Sequence, residues 1–454
     1  MDEQKQMDTT YSWFTNLKKS KGELSKISSS FCLAKWLQVS LHLHKGLTHS
    51  CHHPLAHKIT KKDIADNPSG LHNTQQKMLE RKSMLNGVQP KPCEYCWNIE
   101  NANPEAISDR VMKSSSEWAF PYANQVIDSG LGEKINPRYL EVSFSNICNF
   151  KCSYCSADFS SKWQQEIENF GPYSTENGGS SSPNILEENN IYIDTFWEWW
   201  PELKKDLHVF RITGGEPLLS VNTWRILDDL EKNPVPHLQI AINTNLGVST
   251  EIIRRLTDKL KKLLHKKKVA DVRIFTSIDA IGSDAELIRH GLNSELFFKH
   301  LDFILKEIPT MRVVIMATYS ALSIFTFTDL VKKILELRKL YVSKDRIQAL
   351  GLSTSYLRYP EHLSVKILSD DMVKYPKESL QFMTEHYFDE INYPIGFTEY
   401  EVNAMKNLIE WFESSIDIEK KKFIQNRFVT FYKEHDQRRS TNSSDLVKKI
   451  KTWT

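Results

Sequence analysis

Three cysteines crowd the stretch "SNICNFKCSYC": Cys148, Cys152 and Cys155, spaced C-x3-C-x2-C. A structural zinc site closes with four protein ligands, and a cubane iron–sulfur cluster is ordinarily held by four thiolates. Three thiols leave a metal position open to another molecule, which suits catalysis. An incomplete zinc site or plain structural thiols are the alternatives at this level. The remaining thiols lie upstream. Cys32 and Cys51 belong to a C-x13-G-x4-C pattern around Gly46, and Cys93 and Cys96 form a C-x2-C pair. Four thiols match the ligand count of an iron–sulfur cluster or of zinc. The two groups together use all seven cysteines. An odd total, mostly in tight groups, makes a poor disulfide framework and suits metal binding in a reducing compartment. The cytoplasm is therefore expected.

Groups that do chemistry need elements to hold them. At 454 residues the chain is long enough for two or three domains. Basic and acidic residues nearly cancel, 59 against 57, so no global field argues for nucleic acid. The beginning has no apolar core of a secretory signal, and no run reaches the ~20 apolar residues of a membrane span. Residues 1–30 are polar and expected to be only partly ordered. Residues 31–110 are rich in Cys and His, with alternation around Gly46 that predicts a short hairpin and a helical pattern at 72–86.

From Tyr139 short β-rich runs recur: "YLEVSFS", "HVFRITG", "HLQIAINTN", "DVRIFTSID", "MRVVIMATYS" and "RIQALGLSTS". Amphipathic stretches such as 222–232, 251–267 and 328–340 separate most of them. Successive starts about 30–40 residues apart predict βαβ units and a parallel sheet or barrel. The Ser-, Gly- and Asn-rich stretch within 159–190 reads as a loop insertion. The pattern beyond Ser369 is helical.

In such folds catalytic groups collect where strands end. The cysteine triad follows the first run. The second ends in "TGGEP", where Gly214 and Gly215 allow close approach to the backbone and Glu216 can bind an amine. The third ends in "NTNLG", which contains Asn245; the fourth ends in "TSIDA", where Ser277 and Asp279 share a strand face.

This set resembles the radical S-adenosylmethionine (SAM) superfamily, whose hallmark is C-x3-C-x2-C on the loop after the first barrel strand. Tyr154 matches the aromatic residue that precedes the third cysteine. The resemblance implies a partial (β/α)6 barrel over 135–360 and a 4Fe–4S cluster on Cys148, Cys152 and Cys155. SAM would chelate the open iron, and its reductive cleavage would give a 5′-deoxyadenosyl radical that takes hydrogen from a substrate. It also implies that Gly214, Gly215 and Glu216 meet the SAM amino group. Ser277, Asp279 and Arg289 would serve its ribose or carboxylate, and Asn245 and Ile315 its polar and adenine sides.

The C-x13-G-x4-C element is similar to the opening of SPASM and twitch auxiliary-cluster domains, placed here before the barrel. That likeness implies a second iron–sulfur cluster on Cys32, Cys51, Cys93 and Cys96, with zinc as the alternative. It favours a peptide or protein substrate, with small molecules still open, and an electron donor such as flavodoxin or ferredoxin. Selectivity is expected in the 159–190 insertion and in a helical extension over 361–454. Two rivals stand beside this reading: a radical SAM sulfur transfer, and a non-catalytic iron–sulfur or zinc protein. His42, His44, His49, His52, His53 and His57 are candidate ligands or simply satisfied histidines. "FWEWWP" is expected to pack against the barrel, and "HDQRR" (435–439) is a solvated face or a contact for an acidic group.

Overall fold

The computed structural model describes residues 9–128, 134–176, 183–343, 348–391 and 393–451, with side chains from Leu17 onward. Strands follow in chain order: β1 (Gln38–His42), β2 (Leu47–His49), β3 (His57–Lys58), β4 (Tyr139–Ser143), β5 (Lys151–Cys152) and β6 (Val209–Thr213). They continue as β7 (Gln239–Thr244), β8 (Asp271–Ser277), β9 (Arg289–His290), β10 (Arg312–Tyr319) and β11 (Leu350–Tyr356). The chain forms two compact units. One comprises 1–145, 184–213 and 235–240; the other comprises 146–183, 214–234 and 241–454.

In the first unit the strand order is β3-β2-β1-β4-β6. The hairpin expected around Gly46 forms as the antiparallel pair β1 and β2. The other edge of β1 runs parallel to β4, from Gln38 opposite Tyr139 to His42 opposite Ser143. Four consecutive positions of β1 are buried, as in a strand covered on both faces. Such a strand carries no alternation from which its second partner could be read. β4 and β6 are parallel, and Glu141 stands opposite Arg211 across them. The helix Ile191–Asp206 buries Phe196 and Trp200 against Phe210, with ring centroids at 6.3 and 5.0 Å, so the aromatic run is packing.

The segment read as polar and partly ordered is helical over Thr9–Ile27. Leu17 and Leu24, two turns apart, are buried. Leu24 joins a core of Phe31, Trp36, Met84 and Trp97 that also contains Cys93 and Cys96. The helix expected over 72–86 is Gln75–Leu85, capped by Thr74, whose side chain accepts from the Lys77 amide.

In the second unit β8, β10 and β11 are parallel, and the helices Val221–Lys232, Thr250–His265 and Phe327–Tyr341 follow the predicted stretches. β8 and β10 each bury alternate residues, the mark of strands with two unlike faces. The expected 159–190 insertion opens with a helix, Ser161–Phe170, whose cap is the Ser160 hydroxyl accepting from the Trp163 amide; residues 177–182 lie outside the described residues. The chain beyond 369 is largely helical, including Glu399–Glu413 and Ile418–Arg439. Both units are therefore α/β with parallel strand pairs. Among the described residues no helix is long and apolar enough to cross a membrane.

Candidate active site

The cysteine loop is held by its own short-range bonds. The Ser160 hydroxyl donates to the Phe150 carbonyl at 2.6 Å, and the Asn146 amide to the Ala157 carbonyl at 3.2 Å. The indole of Trp163 donates to the Cys152 carbonyl at 2.8 Å. So tethered, Cys148, Cys152 and Cys155 line one cavity of ≈ 560 Å³. Burial raises the pKa of all three thiols, and the charge of Cys152 adds to the rise at Cys148 and Cys155; Cys155 reaches about 12. Thiolates so disfavoured in the bare protein become stable only beside a cation, which fits a metal-binding donor set. Among the described residues lining the cavity there is neither a histidine nor a fourth cysteine. No three His, Cys, Asp or Glu side chains close into a metal shell among the described residues; the thiols stand along cavity walls.

The predicted strand-end residues converge on this space unequally. Gly214, Gly215, Asn245, Ser277, Tyr154 and Arg289 line it. Gly214 holds φ at 122°, a conformation that only glycine takes readily. A Cβ on Gly215 would sit 2.3 Å from the Ile147 carbonyl oxygen, so this glycine admits the neighbouring cysteine loop and not a ligand. The Glu216 amide closes the same contact by donating to Ile147 O at 2.7 Å.

Glu216 itself turns inward. Its carboxylate accepts from the Leu218 and Asn245 amides at 3.0 and 2.7 Å, and burial raises its pKa to about 7. Asp279 is fully buried. It accepts from the Tyr154 hydroxyl at 2.7 Å, from Arg289 at 2.8 and 3.0 Å and from the Thr318 amide at 2.7 Å. It therefore holds Tyr154 and Arg289 at the wall without lining the cavity. Cys152 and Arg289 are register partners across β5 and β9, which brings the guanidinium to 3.7 Å from the Cys152 sulfur. Ile315 pairs with Thr276 while Ser277 pairs with Met316, so Ile315 lies on the face away from the cavity.

One residue that braces the cysteine loop escaped the sequence reading. Arg439 belongs to "HDQRR", yet it is neither a solvated face nor a free contact for an acidic group. It is buried, pairs with Glu166 at 3.0 Å and donates to the Lys151 carbonyl at 2.6 Å, one residue before Cys152. A partner 273 positions away leaves no trace in local sequence.

The first unit has its own thiol cavity, smaller, at ≈ 20 Å³. Cys32, Cys51, Cys93 and Cys96 all line it, with Lys35 and Arg110. Burial raises the pKa of Cys51, Cys93 and Cys96, and their mutual charges and that of Cys32 add to it; Cys93 reaches about 11 and Cys96 about 12. The histidines mostly face protein partners. His42 meets His49 at 3.0 Å, His44 meets the Ser143 hydroxyl at 3.1 Å and His57 meets Thr74 at 2.9 Å. Burial lowers the pKa of His49, His52 and His57 to about 4. His53 lines the thiol cavity and bonds Asp109 at 2.6 Å.

Over 109 residues the chain is 31% identical to the GTP 3',8-cyclase of Pasteurella multocida (strain Pm70). The match covers 24% of this chain and 26% of that protein, so the chain spans about a quarter of the length of this relative. Among solved structures, "Native anSMEcpe with bound AdoMet" is 16% identical, with a TM-score of 0.34, covering 57% of this chain and 64% of the other. The crystal structure of Streptococcus suis SuiB bound to S-adenosylmethionine is 12% identical, with a TM-score of 0.37, covering 78% and 70%. Residues 142–320 match the family model described as the Radical SAM superfamily.

Proposed function

We propose that the chain is a radical SAM enzyme built on a partial (β/α)6 barrel, acting on a peptide or protein. The observation that carries this reading is the single cavity lined by Cys148, Cys152 and Cys155 together with Gly214, Asn245, Ser277 and Arg289. Bound there, a 4Fe–4S cluster carrying SAM on its open iron would supply, on one-electron reduction, a 5′-deoxyadenosyl radical able to abstract hydrogen from a substrate. The chain's own part is positional. Asp279 aims Arg289 at the wall, where its guanidinium can meet an anionic group such as the SAM carboxylate. The 214–216 turn, locked to the cysteine loop through Gly215 and the Glu216 amide, fixes backbone groups for the amino end. Exposed Phe159 and Tyr359 belong to the same cavity wall and suit an extended substrate.

Cys32, Cys51, Cys93 and Cys96 are proposed to hold a second metal centre, an auxiliary iron–sulfur cluster of the twitch kind or zinc. A cytoplasmic setting and a flavodoxin- or ferredoxin-type donor complete the reading. The test is anaerobic reconstitution with iron and sulfide, then dithionite and SAM, followed by assay of 5′-deoxyadenosine. Product must accumulate in the wild-type chain and not in Cys152→Ala. Equal yields from the two would end the enzyme reading.

A further inference from the structure

The segment that follows β11 serves two cavities. Tyr359 and Pro360 line the cavity of the cysteine triad. Arg358 and Glu361, the residues on either side of them, line a second cavity of ≈ 340 Å³ with Lys366, Trp411, Asp417 and Lys420. From Arg358 to Glu361 the backbone reaches at most about 11 Å, so one short strip contributes to both walls. Tyr359 is 76% exposed, and Arg358 is exposed beside it. Both cavities belong to the second compact unit.

The charged groups of the second cavity are unequally engaged. Glu361 pairs with Lys420 at 2.8 Å. The Asp417 carboxylate accepts from the Lys420 amide at 2.8 Å, as the cap of the helix Ile418–Arg439. Lys366 spends its three donors on the Phe412 carbonyl at 3.3 Å, the Ser414 carbonyl and the Ser414 hydroxyl at 2.6 Å. Arg358 differs. Among the described residues it meets no carboxylate within ion-pair distance, and its guanidinium donates to the Tyr356 hydroxyl at 2.6 Å. That group lies 4.9 Å from the centre of the Tyr356 ring and 5.6 Å from that of Trp411, two rings that stack at 5.5 Å. A guanidinium held against aromatic rings keeps further in-plane N–H groups for a planar anion.

Trp411 points independently to an acceptor. Its indole nitrogen is buried and has no hydrogen-bond partner among the described residues. A buried indole N–H ordinarily finds one. A carboxylate has two oxygens in one plane, so it can take one bond from Arg358 and one from Trp411. One unmatched cation balances one negative charge, which favours a carboxylate over a phosphate dianion.

We infer that the second cavity is a subsite that anchors a carboxylate of the substrate, an acidic side chain or a chain terminus, within about four residues of the position presented to the cysteine triad. Arg358 and Trp411 hold the carboxylate, and Tyr359 and Pro360 support the substrate residues in between. This rests on the proposed peptide substrate and gives that substrate a chemical signature.

The experiment is equilibrium dialysis of the full-length chain, reconstituted anaerobically, against three pentapeptides. They are acetyl-Ala-Ala-Glu-Ala-Ala-amide, the same peptide with Gln in place of Glu, and that Gln peptide ending in a free carboxylate. At least one charged peptide is expected to be retained about fivefold or more over the neutral one, and the better of the two separates side chain from terminus. Arg358→Gln is expected to erase the preference. Trp411→Phe, which keeps a ring and removes the N–H, is expected to reduce it. Equal retention of charged and neutral peptides, a preference that survives either substitution undiminished, or retention of no peptide overturns the inference. None of these readings depends on cleavage of SAM. The 5′-deoxyadenosine assay of the wild-type chain is read separately, so failure of the subsite and failure of the enzyme reading are told apart.

Discussion

Asp279 acts from the interior, through Arg289. Ser277 and Asp279 are two apart and share a face only while the strand continues, but β8 ends at Ser277. Beyond it the chain turns, leaving Ser277 at the cavity while Asp279 goes into the interior to hold Arg289. Replacing Asp279 by Asn strands a buried guanidinium. The expected cost is about 3–5 kcal/mol, read as a lower denaturant midpoint and accompanied by weakened SAM binding. An unchanged midpoint would mean that Arg289 finds another partner. Glu216 gives a prediction in pH. Its pKa of about 7 in the fold lies above the ordinary 4.5, so the folded chain holds the extra proton between those values. Stability must then fall as pH rises from 4.5 to about 7, by about 3 kcal/mol at most. Metal-free Glu216→Gln lacks this slope, and denaturant midpoints at the two ends of the window measure the difference. The cysteine triad was legible because its spacing is local. The inward roles of Glu216 and Asp279 were not, because burial is decided by distant neighbours.

At the scale of elements, the helix Ile418–Arg439 does work that its polar sequence hides. Its last turn carries Arg439 to Glu166, which also receives Lys151 Nζ at 2.5 Å and the Tyr173 hydroxyl at 2.6 Å. Since Arg439 also bonds the Lys151 carbonyl, the helix end is fastened to β5, where Cys152 sits. Arg439→Met leaves Glu166 buried with only Lys151 as cation, and is expected to cost about 3 kcal/mol or more. The iron at the cysteine triad should be lost faster to a chelator. Arg439 and Lys151 hold the Glu166 carboxyl down to about 2, below its usual 4.5. The stabilisation is therefore complete above 4.5 and disappears as pH falls towards 2. Wild type and Arg439→Met should accordingly converge in stability in acid; a gap that persists there would assign the role to packing. Helices and strands from Tyr139 onward were readable from periodicity, since each buries one face. The helix Ser161–Phe170 was masked by its polar surroundings, and the parallel pairing of β1 with β4 involves residues about a hundred positions apart.

At the scale of the molecule, linear boundaries drawn along the sequence miss how the chain is divided. Each compact unit is assembled from separated stretches, and Gln239–Thr244 passes from one to the other within a strand. Composition changes gradually along a sequence, whereas compactness depends on which stretches return to one another. The thiols nevertheless sort cleanly: Cys32, Cys51, Cys93 and Cys96 line a cavity wholly within the first unit, and Cys148, Cys152 and Cys155 one wholly within the second. No residue lines both. Ligands that share no wall have no structural reason to be lost together. Alanine at Cys148, Cys152 and Cys155 should abolish 5′-deoxyadenosine formation and its share of the iron, while leaving the metal of the other site in place. Alanine at Cys32, Cys51, Cys93 and Cys96 should remove only the other share. Metal analysis of the two purified variants decides it: complete loss from either one would show that one centre must be filled before the other can form, a dependence that these separate linings do not provide.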